Sequence, residues 1–167
     1  MKVFHTLKPI YDKNSKVLIL GSIPSVKSRE DGFYYAHPRN RFWSVLAKVY
    51  EEEIKNTKEA KINFLIKNKI ALFDVLKSCD IISSSDSSIK NPLPNDLFPI
   101  LKTANIQAIF TTGKKAYDLY QKYIFPKTNI KAIYLPSTSP ANSRKGIEEE
   151  LIKEYQKIKE ITDEKEN

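Results

Sequence analysis

The chain is poor in the residues that staple a fold or hold a metal. Its 167 residues include one cysteine, Cys79, which excludes an intramolecular disulfide and a cysteine-built zinc or iron–sulfur site. Two histidines add little else for a metal, so neither metal nor cofactor is expected. No apolar run approaches the roughly 20 residues that a helix needs to cross a bilayer, and Met1–Lys16 lacks the apolar core of a signal peptide. The expectation is a cytoplasmic protein with no membrane partner. Acid is the scarcer charge: 20 Asp and Glu stand against 28 Lys and Arg, a formal net charge of +8. That balance suits a polyanionic partner, although a lysine-rich surface also serves solubility alone. Acidic residues cluster at Glu51–Glu53, Glu148–Glu150 and Asp163–Glu166, which leaves the middle of the chain more basic and favours DNA.

What is present is the pattern of one α/β domain, expected over residues 1–161 as a monomer, with a frayed tail at 162–167. Four short β-branched runs, Val17–Leu20, Ile70–Val75, Ile106–Thr111 and Ala132–Leu135, are continuously apolar, as strands buried on both faces are. Between them lie segments with helical spacing: Arg41–Tyr50, Thr57–Lys67, Asn95–Lys102 opening on an Asn cap, Lys114–Tyr123, and a long helix from about Ser143 to Ile161. Strands alternating with helices predict a three-layer α/β/α sandwich around a four-stranded parallel sheet. Ile81–Pro94, with its run of serines from Ser83 to Ser88, has too little apolar content for a regular element and is expected to be a long loop.

In open α/β sheets ligands bind beyond the carboxyl ends of the strands. That rule selects Gly21–Arg41, Asp74–Asn95, Thr112–Lys114 and Pro136–Ser143. The first holds Gly21-Ser22-Ile23-Pro24 and then Tyr35-Ala-His-Pro-Arg-Asn-Arg-Phe-Trp43. Without a Gly-Lys-Ser/Thr ending it is not a triphosphate loop. Phe42 and Trp43 open an amphipathic helix and belong to the core. Tyr34 and Tyr35 are adjacent and cannot both face it, so one is available to stack on a base. His37, held extended by Pro38, is expected to bond nearby backbone, and Cys79 to fill apolar space. Ser137-Thr-Ser-Pro-Ala-Asn142 leads toward a basic helix start suited to phosphate, or else supplies a plain helix cap from Asn142 or Ser143.

Taken together, Gly21-x-x-Pro24, the Tyr35–Trp43 motif and Ser137–Asn142 resemble the uracil-DNA glycosylase superfamily, specifically its hypoxanthine-DNA glycosylase branch, from about Val17 to Arg144. The resemblance implies the same four-stranded fold and a monofunctional glycosylase acting on double-stranded DNA with a damaged base, hypoxanthine (deoxyinosine) first. It also implies a base pocket of Gly21, Ser22, Ile23, Tyr35 and Asp74, with Tyr35 stacking on the flipped base. Where uracil- and mismatch-specific members carry Asp or Asn before the proline of the first motif, this chain has Ile23, which can neither donate nor accept. The resemblance then implies that Asn40 is catalytic; Asp74, by its place at the end of the second strand, is left to read the base edge, to serve as an alternative base for water, or only to cap a helix or brace a loop. Gly113 and Lys114 are expected to meet backbone phosphate, or to leave a solvated lysine on a helix. Pro140-Ala141-Asn142 matches the loop that enters the minor groove, and Ser137, Ser139 and Arg144 beside it are expected to contact DNA. Two alternatives stay open: a uracil or mismatch glycosylase on the same fold, and a lesion-binding module that does not cut.

Overall fold

The computed structural model describes residues 1–81 and 88–164. Four parallel strands form the central sheet: β2 (Val17–Gly21), β3 (Ile70–Asp74), β6 (Ala108–Thr112) and β7 (Ala132–Leu135), in the order β3-β2-β6-β7. Successive residues of a strand point to opposite faces, and every residue of β2 and β3 is buried. Both faces of the sheet are therefore covered, which is why these runs are continuously apolar. Helix α3 (Lys58–Lys67) packs on β3, α5 (Lys114–Tyr123) on β6 and β7, and α7 (Ile147–Thr162) on β2, β7 and α2 (Phe42–Tyr50). The three-layer α/β/α sandwich expected from the sequence is the fold observed. Among the described residues, no helix is long and apolar enough to cross a membrane.

The expected loop over 81–94 is in large part a sheet. Strand β4 (Leu76–Ile81) pairs antiparallel with β5 (Ile89–Pro94) and with the three-residue β1 (Lys2–Phe4), in the order β1-β4-β5. Two prolines, Pro92 and Pro94, are tolerated because β5 is an edge strand, where a missing N–H breaks no ladder on the open side. Most of the serine run lies at 82–87, outside the described residues. Further short helices, α1 (Val26–Asp31), α4 (Phe98–Thr103) and α6 (Phe125–Thr128), complete the chain.

Several boundaries differ from the pattern reading. Asn95 is not a helix cap: its side-chain amide donates to the carbonyls of Asp74 and Leu76, both at 3.0 Å, while Asp96 accepts from the Phe98 N–H. Helix α7 begins at Ile147, not Ser143, with Gly146 at its cap and Glu148, Glu149 and Glu150 in its first turn. The basic helix start expected near Arg144 is thus an acidic one, and neither Asn142 nor Ser143 caps it. Of the tail expected to fray, residues 165–167 lie outside the described residues, while 162 and 164 make specific contacts. Thr162 ends α7 with its hydroxyl 2.6 Å from that of Tyr50, and the Glu164 carbonyl accepts from the Lys16 ammonium.

Candidate active site

Register decides which strand ends meet. Gly21 of β2 lies opposite Asp74 of β3, and Thr112 ends β6 beside them, opposite Leu135. A side chain on Gly21 has no room: a Cβ there would lie 2.6 Å from Asp74 Oδ1, 3.2 Å from the Tyr35 hydroxyl and 3.6 Å from Thr112 Oγ1. The glycine is required here by close approach of polar groups rather than by backbone conformation.

Tyr35 crosses this rim from the loop between α1 and α2. Its ring lies nearly flat on Phe42, with centroids 3.9 Å apart and planes 11° apart, and its hydroxyl is 3.1 Å from Thr112 Oγ1. One face of the ring is thereby occupied by the core. Its backbone has φ 52°, a left-handed conformation that costs a non-glycine residue on the order of 1–3 kcal/mol and collects at functional sites. Burial first, and then the nearby Asp74 charge, hold its phenol well above the usual tyrosine range, and the Thr112 hydrogen bond offsets this only in part. Its neighbour Tyr34 is 3% exposed and donates to the Lys8 carbonyl at 2.8 Å. Of the two adjacent tyrosines, Tyr34 is the core residue.

Asn40 stands at the start of α2. Its Oδ1 accepts from the Phe42 N–H at 2.9 Å, which fixes the carboxamide plane and commits one oxygen lone pair. Asn40 and Tyr35 are thus joined through the two ends of one residue, the amide and the ring of Phe42. Arg41 clamps the opposite loop: its N–H donates to the Thr138 carbonyl at 3.0 Å, and its guanidinium to the carbonyls of Ser139 and Asn142 at 3.4 and 3.3 Å. Phe42 and Trp43 are core residues, and His37 Nδ1 accepts from the Arg39 N–H, both as expected.

The remaining predicted residues divide by what already engages them. Ser22 is buried and Ile23 packs against the core. The Gly113 N–H, expected to face phosphate, donates to the Leu135 carbonyl at 2.7 Å. Lys114 is exposed and pairs with Asp118 at 2.8 Å. Within the Ser–Pro loop, Ser137 Oγ accepts from the Ser139 N–H, Ser139 Oγ from the Ala141 N–H, and the Asn142 amide donates to the Ser137 carbonyl. Arg144 bonds Asn142 and pairs with Glu150. Ala141 is exposed and Pro140 half-buried at the loop's outer edge.

Sequence reasoning missed His5. One residue past β1, its N–H still pairs with the Lys77 carbonyl, so its ring turns inward on the same side as Val3. Nε2 lies 2.8 Å from Asp74 Oδ2, and the two side chains are only 2% and 5% exposed. A strand of three residues carries no periodicity to announce it. Arg41, Asn95 and Thr112 were likewise not assigned a part in the site. Two surface concavities of about 570 Å³ each lie elsewhere, one walled by Leu7, Ile10, Ile62 and Ile66, the other by Leu97, Leu101 and Ile124. The strand-end rim is the candidate site: its carboxylate, imidazole and aromatic platform meet about Gly21, and Asn40 is tied to that platform through Phe42.

The fold is that of an α/β DNA glycosylase, as its likeness to known proteins shows. The family model described as the uracil DNA glycosylase superfamily matches residues 8–161. A protein of Methanosarcina barkeri named hypoxanthine DNA glycosylase is 34% identical over 81% of this chain and 86% of its own length. A second of that name, from Methanosarcina acetivorans, is 32% identical over 81% and 85%. A solution NMR structure from Methanosarcina acetivorans, described as a candidate uracil DNA glycosylase, superposes with a TM-score of 0.78 at 29% identity, covering 95% of this chain and 99% of that one. The chain belongs to the uracil DNA glycosylase superfamily.

Proposed function

We propose that this protein hydrolyses the N-glycosidic bond of hypoxanthine in double-stranded DNA, acting as a monomeric, monofunctional repair enzyme in the cytoplasm. The observation that carries the reading is the coupling of Tyr35 and Asn40 through Phe42 at the strand ends, supported by two curated relatives named for hypoxanthine. A target base inside the duplex is unreachable, so it is extruded and lies on the face of Tyr35 that Phe42 leaves open, over Gly21, Ser22 and Ile23. Water adds to C1′ as the C1′–N9 bond breaks, and its proton passes to the departing purine.

Asn40 is a poor proton acceptor. With Oδ1 committed to the helix, its Nδ2 is the end that donates, and its remaining oxygen lone pair orients the water. Catalysis then rests mainly on electrostatic stabilisation of the cationic sugar. Ile23 contributes apolar floor and no hydrogen bond, which disfavours uracil. Pro140, Ala141 and Asn142 enter the minor groove, where small apolar groups between base steps offset unstacking. Ser137 and Ser139 shape that loop, while Lys114 and Arg144 meet phosphate by exchanging their carboxylate partners; Gly113 serves by conformation, its N–H being taken.

The test is single-turnover excision on duplexes containing hypoxanthine, uracil or thymine opposite guanine, with wild type and Asn40→Ala side by side. Hypoxanthine is expected to be cut fastest, and Asn40→Ala to slow it by about 100-fold or more, the scale of losing one transition-state donor. Faster release of uracil or mismatched thymine overturns the substrate assignment. An Asn40→Ala variant as fast as wild type moves the chemistry to another residue.

A further inference from the structure

Asp74 closes β3 with two unlike oxygens. Oδ2 is 2.8 Å from His5 Nε2; a carboxylate can only accept, so Nε2 carries the proton. Oδ1 makes no hydrogen bond to any described residue and lies 2.6 Å from where a Gly21 Cβ would be. Asp74 is 4% exposed, yet Oδ1 is not among the buried polar atoms that lack a partner, so this oxygen keeps an opening to solvent through which a donor on a ligand can reach it. The assembly around it is stiff. Asn95 holds the Asp74 carbonyl, and the His5 ring is set edge-on to Phe73 at 4.9 Å. Through the β1–β4 pairing, the imidazole is carried by the antiparallel sheet while the carboxylate belongs to the parallel one.

We propose that His5 is a positioning residue for base selection: by holding Oδ2 it presents Oδ1 over Gly21 as the acceptor for the ring N–H that a deaminated base carries beside its carbonyl. Hypoxanthine has that N–H at N1, whereas adenine has a lone pair there, which the carboxylate repels. A site built to accept such a hydrogen discriminates strongly against a base that lacks it. His5 touches no substrate atom and transfers no proton. The inference rests on the glycosylase reading above.

The experiment measures single-turnover excision from duplexes containing deoxyinosine or 2′-deoxynebularine, whose purine base lacks both the carbonyl and the ring N–H. Wild type, His5→Leu and His5→Gln are compared, with thermal melts to establish folding. Wild type is expected to prefer hypoxanthine. His5→Leu is expected to slow hypoxanthine release by about tenfold or more, the scale of a hydrogen bond to a charged group, and purine release far less. His5→Gln, which places an amide N–H near the Nε2 position, restores most of the preference. An equal fall on both bases, or no fall, overturns the proposal. Should His5→Leu not fold, His5→Asn, whose shorter arm cannot reach Oδ2, is compared with His5→Gln, and equal base preference in the two overturns it. Cleavage of hypoxanthine indifferent to these changes defeats this inference alone; a wild type that leaves hypoxanthine DNA intact defeats the functional reading beneath it.

Discussion

At the scale of single residues, the rim is crowded, and Gly21 is where the crowding is felt. Gly21→Ala would set a methyl 2.6 Å from Asp74 Oδ1, inside van der Waals contact, and the carboxylate must swing away. Excision of hypoxanthine is expected to fall by about tenfold or more, as when one hydrogen bond to a charged group is lost. The effect should survive in a variant whose melting temperature stays near wild type, and full activity in the Gly21→Ala enzyme would mean that Oδ1 does not face the base. Gly21, Tyr35, Asn40 and Asp74 could be named from the sequence because they lie at or beyond the ends of predicted strands, where ligands bind, and because the motifs that hold Gly21, Tyr35 and Asn40 resemble those of the superfamily. His5 could not. Nothing in the first five residues marks a strand, and its partner lies 69 positions downstream.

Secondary-structure elements show where periodicity carries information and where it fails. Three of the four parallel strands were legible because β2, β3 and nearly all of β6 are buried on both faces and read as apolar runs, whereas the edge strand β7 is only half-buried and was legible by its β-branched and aromatic residue types. Strand β5 was illegible for the opposite reason: only Ile89 of its six residues is fully buried, and its prolines point away from any interior strand. The start of α7 was misplaced because Asn142 and Ser143 are good cap residues by type, yet Asn142 is spent bracing the Ser–Pro loop. Gly113 offers a test at this level. With φ 90° and ψ 159° it occupies backbone space open almost only to glycine, and an added Cβ would come within 3.3 Å of Ser137 Cβ. Gly113→Ala is expected to destabilise the fold by about 2 kcal/mol, read as a lower melting temperature. An unchanged melt would mean that the β6–α5 turn has another conformation within easy reach.

For the molecule as a whole, the excess of eight positive charges bears on partner affinity and leaves the fold indifferent. Ion pairs such as Lys27–Asp31, Lys67–Glu52 and Lys159–Asp163 are surface contacts worth little to stability. Affinity for undamaged duplex, in contrast, should drop steeply as salt rises, because each neutralised phosphate releases counterions. The measurement is the slope of log affinity against log salt; a flat line would remove duplex DNA as the partner.

The His5–Asp74 contact also makes the selecting carboxylate depend on the amino-terminal strand. Among the described residues β1 pairs with β4 alone, so the first strand has no sheet to join without residues 76–81. Contacts so distant in sequence close slowly. A locally opened chain can therefore hold its parallel sheet, its aromatic platform and its carboxamide while its selecting carboxylate is unheld. Discrimination between damaged and normal purines would be the first property lost when the amino-terminal strand peels away.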